Sequence, residues 1–348
     1  TVSGGSVSQL WMNIIKVALT NDRIVESTAL VKGFGCLIEL LSLGSADVAL
    51  SFFDSRDLLL PFLESRDYIV QRYAAQALAI VYAVKLKSIG QTVSQLDCEF
   101  WNHQVVSFMS GLLETSNQTE HPKLLDKIHG SILAMSHIAL GLVVARKSLQ
   151  RTWSDLGLSD LGDIISSIYL SLTQKIQAIN KSAVFPSTAV SLCVAIGAAG
   201  MASLADNDRD KQSEPSDSDK NTLSAIVGIG KNANTVKLQD AAFDGLSRLV
   251  LGTPSLDMIF VESVRSLAHL VSKKTIDLHF RIGRAVAIAI GRFKCTLVEL
   301  GWVFPLDPAT IYSGQQLEAN TRALETILDL LVNSMAASTN LQDRQAAV

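Results

Sequence analysis

The chain has 348 residues, of which 48% are hydrophobic, 18% charged and 6% aromatic, and its formal net charge is −3. That length suits two ordinary domains or one long repeat array, and the apolar fraction is enough for a substantial core. The near-neutral charge argues against whole-chain affinity for nucleic acid, and the few rings argue against a base-stacking surface.

The predicted elements are helices. "SQLWMNIIKVAL" (8–19) is followed by "NDRIVESTALVKGFGCLIELL" (21–41), and "SRDYIVQRYAAQALAIVYAV" (65–84) repeats the second pattern. "FWNHQVVSFMSGLL" (100–113) leads to "HPKLLDKIHGSILAMSHIALG" (121–141), and "LGDIISSIYLSLTQKI" (161–176) leads to a charge-free run, 182–205. The members of one class share a plan: a polar start, a branched residue, a charge, a small pair, then an apolar run. The small residues Ala29, Ala75, Gly130, Ala242, Gly283 and Ala347 mark the copies, with "SLCVAIGAAG" (191–200) as a further one. Neighbouring copies lie roughly 40 to 65 residues apart, near or above the period of HEAT and armadillo units. A small residue lets a neighbouring helix approach closely, an Asp or Asn before it can cap the helix, and a basic residue takes the solvent edge.

The run 182–205 is long enough to be tested as a membrane span. It contains Pro186 and several Ser, Thr, Ala and Gly, and no Lys/Arg cluster or aromatic belt flanks it, so a buried helix in a helical stack is the better reading. Residues 206–221, "DNDRDKQSEPSDSDKN", read as a polar, disordered inserted loop. "AIVGIGKNAN" (225–234) fails as a phosphate loop, because Ala225 and Asn232 stand where Gly and Ser or Thr are needed, so Gly228 and Gly230 are expected to end a helix. "NTVKLQDAAFDGLSRLVLG" (234–252) is another copy, followed by the partner "IFVESVRSLAHLVSK" (259–273).

"LHFRIGRAVAIAIGR" (278–292) is mostly apolar yet carries three arginines. Wound as a helix with Arg281 at zero, Arg284 falls at about 300° and Arg292 at about 20°, opposite Ile282, Val286, Ala289 and Ile290. Its apolar run is too short for a bilayer, which needs about 20 residues. Lys273 and Lys274 precede this basic face and Lys294 follows it, so Lys273, Lys274, Arg281, Arg284, Arg292 and Lys294 form the candidate protein-binding site, against the ordinary alternative of a solvated helix back. Residues 301–316, with Pro305, Pro308 and Gly314, are expected to be an extended crossing between helices, before "ALETILDLLVNSMAAS" (323–338) and "NLQDRQAAV" (340–348). The beginning and end of the sequence suggest a piece of a longer protein.

No strand pattern or hairpin signal is found, and the fold class is all-α: a HEAT-repeat α-solenoid of stacked antiparallel helix pairs. Residues 1–348 are read as one continuous segment of about seven helix pairs. Chemistry-bearing motifs are scarce. Cys36, Cys98, Cys193 and Cys295 form no CxxC pair and read as buried thiols in a reducing compartment. His129 and His137 sit near one helical face without a third ligand, and His269 and His279 stand alone. There is no GxSxG and no HExxH, so no enzymatic site, metal or cofactor is expected.

The order of "SLCVAIGAAG", the polar segment, "LQDAAFDGLSRLVLG", "IDLHFRIGRAVAIAIG" and "LQDRQAAV" resembles the large HEAT-repeat proteasome adaptor and scaffold family of the extracellular-mutant-twenty-nine type. The family stretch L-x-F-x-I-G-x-A is matched by Leu278, Phe280, Ile282, Gly283 and Ala285, and its R-Q-A-A by Arg344, Gln345, Ala346 and Ala347. "KIHGSILAMSHIALG" resembles its H-G-A-x-x-A-L helix through His129, Gly130, Ser131 and Ala134, with Met135 replacing Leu. Arg284 departs from the family's Glu. The resemblance covers roughly residues 60 to 348 of a family chain several times longer. It implies a non-enzymatic scaffold in cytoplasm and nucleus that binds the 26S proteasome, bridges its core and regulatory particles and serves assembly quality control. It implies protein partners, no nucleic acid and no membrane insertion. The alternative is another HEAT-repeat scaffold, such as a nuclear transport receptor.

Overall fold

The structure is a computed structural model that describes residues 27–43, 46–91, 99–179, 185–206 and 217–233, with isolated positions between 235 and 249. The described part is 84% helical and contains no strand, which makes it all-α. Its helices are α1 (Ser27–Leu43), α2 (Ala46–Phe53), the short α3 (Leu60–Leu63), α4 (Tyr68–Gln91), α5 (Val106–Ser116), α6 (Leu125–Ser148), α7 (Ser159–Ala178), α8 (Pro186–Asp206) and α9 (Asp217–Asn232). A 3₁₀ turn, Arg56–Leu59, precedes α3, and a π-helical turn, Trp101–Val105, opens α5. The chain forms two compact units, Thr1–Leu170 and Ser171–Val348, whose boundary falls within α7.

Two kinds of helix alternate. The first kind is buried nearly all round. In α6 every residue from Ile128 to Leu140 is buried, and in α8 the same holds from Thr188 to Gly200. The second kind is amphipathic. In α7 the buried residues Leu161, Ile165, Ile168, Leu172 and Ile176 recur at helical spacing, while Asp163, Ser166, Ser167, Leu170 and Gln174 face water. Likewise α5 buries Met109, Leu112 and Ser116 and exposes Ser107, Gly111 and Glu114. The apolar charge-free run 182–205 therefore supplies a buried helix, as its composition suggested, with Pro186 at its first position, where no amide hydrogen bond is lost.

In the first unit, α4 and α6 run in the same direction. Near their starts the Gln71 Nε2–H donates to the Asp126 carbonyl at 2.8 Å, and farther along Gly141 lies against Ala79. Gly130 and Gly141 stand only about 20° apart around α6, so they form one stripe. A Cβ at Gly141 would come within 2.6 Å of the Ala79 carbonyl oxygen, and one at Gly130 would collide with the Leu63 carbonyl. Helix-to-backbone contact this close needs glycine. Gly130 was expected to mark such an approach; Gly141 was not.

Aromatic side chains join the other helices of this unit. Phe34 of α1 meets Phe62 of α3 edge-on, with ring centroids 5.1 Å apart. Tyr82 of α4 touches Phe53 of α2, Trp101 of the π turn and Phe108 of α5 at 5.6, 6.1 and 6.2 Å. Such pairs add roughly 0.5–1.5 kcal/mol each beyond the area they bury.

Capping follows the sequence where a suitable residue is present. Asp67 Oδ1 accepts the Ile69 N–H at 2.8 Å and caps α4. Before α7, Thr152 and Asp155 bond reciprocally, the Thr152 N–H to Asp155 Oδ2 at 2.9 Å and the Asp155 N–H to Thr152 Oγ1 at 3.1 Å. Gly157, with φ at 69°, closes that turn, and its carbonyl accepts the Asn102 Nδ2–H at 2.9 Å.

In the second unit, both ends of the polar run read as a loop over 206–221 are helical. Asp206 still belongs to α8, and α9 already begins at Asp217. The reason is local: the Asp217 carboxylate at the first position complements the helix dipole, and the Thr222 hydroxyl bonds back to the Ser218 carbonyl at 2.8 Å. Gln177 Nε2 reaches Thr222 Oγ1 at 3.2 Å, tying α7 to α9. Gly228 and Gly230 lie in the final turns of α9, which ends at Asn232. The expected crossing at 301–316 lies outside the described residues.

Candidate functional site

The six cations proposed as a binding face, Lys273, Lys274, Arg281, Arg284, Arg292 and Lys294, all lie outside the described residues, as do Gly283 and Ala347 of the repeat pattern. What the structure does place is the packing of the helices with which that face was grouped. Ala75 is fully buried in α4, Gly130 abuts the Leu63 backbone, and Ala242 is 2% exposed. In the copy over 234–252 the close approach falls on Gly245 rather than on Ala242. A Cβ on Gly245 would collide with the Cys193 carbonyl of α8, whereas the Ala242 Cβ meets the position of a Gly230 Cβ at an ordinary 3.5 Å. The cap there is Thr235, whose Oγ1 accepts the Leu238 N–H at 3.3 Å.

The buried polar groups are used for structure. In α6, His129 and His137 are both buried. His137 Nδ1 lies 2.8 Å from the Leu133 carbonyl, which can only accept, so this nitrogen carries the proton. The Ser136 hydroxyl donates to the same carbonyl at 2.9 Å. Arg146, 6% exposed, donates to the Arg151 carbonyl at 2.8 Å and lies over the Trp153 ring at 5.5 Å. Among the described residues no three His, Cys, Asp or Glu side chains come together as metal ligands would. Cys193 is enclosed in α8, and burial pushes its thiol up to about 12, so it is protonated and unreactive at neutral pH. Cys36 on α1 is exposed, contrary to the reading of the cysteines as buried. The partial apolarity of its helix explains this, since Lys32 and Gly33 on α1 are exposed as well.

One cluster was not foreseen. Arg56 of the 3₁₀ turn holds its guanidinium 4.5 Å from the Phe53 ring centroid and 5.8 Å from that of Phe100, and donates to the Phe53 carbonyl at 3.1 Å. Lys85 of α4 approaches the same Phe53 ring at 5.3 Å. Tyr82 beneath them is 5% exposed, and burial raises its hydroxyl above the usual tyrosine value against the opposing pull of Arg56. Trp101 is fully buried, and its indole N–H has no hydrogen-bond partner among the described residues. The signal was present in the sequence as a crowding of rings between Phe52 and Phe108, which the low overall aromatic content concealed. Two cations over rings set edge to face join α2, the 3₁₀ turn and α4 to the segment that leads into α5.

Among the described residues α6 is long and apolar enough to cross a membrane by length and composition, with 89% of its most apolar window buried inside the protein. No known protein family, curated protein or solved structure matches the chain.

Proposed function

We propose that this chain is a segment of a non-enzymatic HEAT-repeat scaffold that binds the 26S proteasome in cytoplasm and nucleus. There it would bridge core and regulatory particles and take part in assembly quality control. The observation that carries the proposal is the order of sequence motifs, from "KIHGSILAMSHIALG" through "SLCVAIGAAG" and "LQDAAFDGLSRLVLG" to "IDLHFRIGRAVAIAIG" and "LQDRQAAV". The repeat reading draws support from the alternation of enclosed and amphipathic helices, and from α4 and α6 running in the same direction with α5 between them in sequence. Stacked helix pairs place their inner helices in that manner. An adaptor of this kind gathers affinity from many modest contacts along its surface rather than from one pocket.

The test is capture of purified 26S proteasome by the tagged chain, followed by crosslinking mass spectrometry. Crosslinks from Lys273, Lys274 or Lys294 to proteasome subunits are the expected result and make the basic helix a contact. Capture with crosslinks elsewhere moves the contact to another face. Absence of capture, both by this chain and by a longer protein containing it, removes the proteasome from the proposal.

A further inference from the structure

We draw no further inference here: the strongest candidate, the rim of the first unit where Ile69 at the start of α4 and Leu124 just before α6 are exposed at the same end of the helix pair, carries nothing, because Arg66, Lys123 and Lys127 are offset there by Glu64, Asp67, Glu120 and Asp126 and nothing in the structure shows what covers it.

Discussion

The contact between α6 and the backbone before α4 makes a sharp prediction about Gly130. In Gly130→Ala the new methyl would lie 2.6 Å from the Leu63 carbonyl carbon and 3.1 Å from its Cα, and closer still to the oxygen. Comfortable carbon–carbon contact is about 3.5–4.0 Å, so α6 must retreat by about 1 Å or α3 must move. Neither helix has a rotamer to yield, because the obstacle is backbone. Alanine gains about 0.5–1 kcal/mol over glycine from helix propensity, while overpacking of this kind loses about 1–3 kcal/mol or more. The expected net is a loss of about 1–2 kcal/mol, or a fall in melting temperature of about 2–4 °C per kcal/mol for a unit of this size. Gly111→Ala is the matched control. Gly111 is exposed on α5 with nothing within 4 Å of its would-be Cβ, so the same substitution should stabilise by about 0.5–1 kcal/mol. The assay is urea denaturation followed by circular dichroism, with amide exchange on peptides from α4 and α6 to confine the loss to the first unit. If Gly130→Ala proves as stable as Gly111→Ala, the two segments do not touch, and the close-approach account of the repeat is wrong.

Three other outcomes follow from the same geometry. Native-state alkylation should modify Cys36 and spare Cys193 until denaturant is added, read by peptide mass spectrometry; fast labelling of Cys193 in the folded chain would contradict its enclosure in α8. Arg56→Ala should destabilise the first unit by about 1–2 kcal/mol through loss of the ring contacts and the Phe53 carbonyl bond, with Arg56→Lys intermediate, and equal stability of all three would dismiss the cluster as a surface coincidence. The bonds from Thr152, backbone first and hydroxyl second, hold the Asp155 carboxyl below its ordinary 3.8. The depressed value means that the turn is supported above pH 3.8 and loosens as pH falls through the lower, folded-state value. An NMR titration placing Asp155 at or above 3.8 would count against the capping pair.

Sequence reasoning reached the helices and their two kinds because helical periodicity survives in any context. Leu161, Ile165, Ile168, Leu172 and Ile176 announce an amphipathic helix before any neighbour is known, and the unbroken apolarity of 188–200 announces an enclosed one. It also found Gly130, and it expected an Asp or Asn to cap such helices, as Asp67 does for α4. It missed whatever depends on a partner distant in sequence. Gly141 matters only because Ala79 lies opposite, and the cluster at Arg56 forms only because Phe100 and Lys85 fold onto the Phe53 ring. The boundary at Asp217 was misplaced for a different reason: acidic residues read equally well as loop composition and as the first turn of a helix.

The enclosed helices constrain where any binding activity can reside. A helix that is apolar all round has two stable surroundings, lipid or other helices, and composition alone does not separate them. In the structure α6 is enclosed by protein over 89% of its most apolar window, and its stripe of Gly130 and Gly141 faces the peptide carbonyls of Leu63 and Ala79. Its internal polar groups are engaged in the same way, with Ser136 and His137 bonded to the Leu133 carbonyl of their own helix. In the described residues of the first unit, exposed side chains lie on α1, at the start of α4, on the outer faces of α5 and α7 and in the turns between helices. They are spread along the chain and mostly polar, with Ile69, Leu124 and Leu170 as apolar exceptions. An exposed surface spread over several helices can support many individually modest contacts.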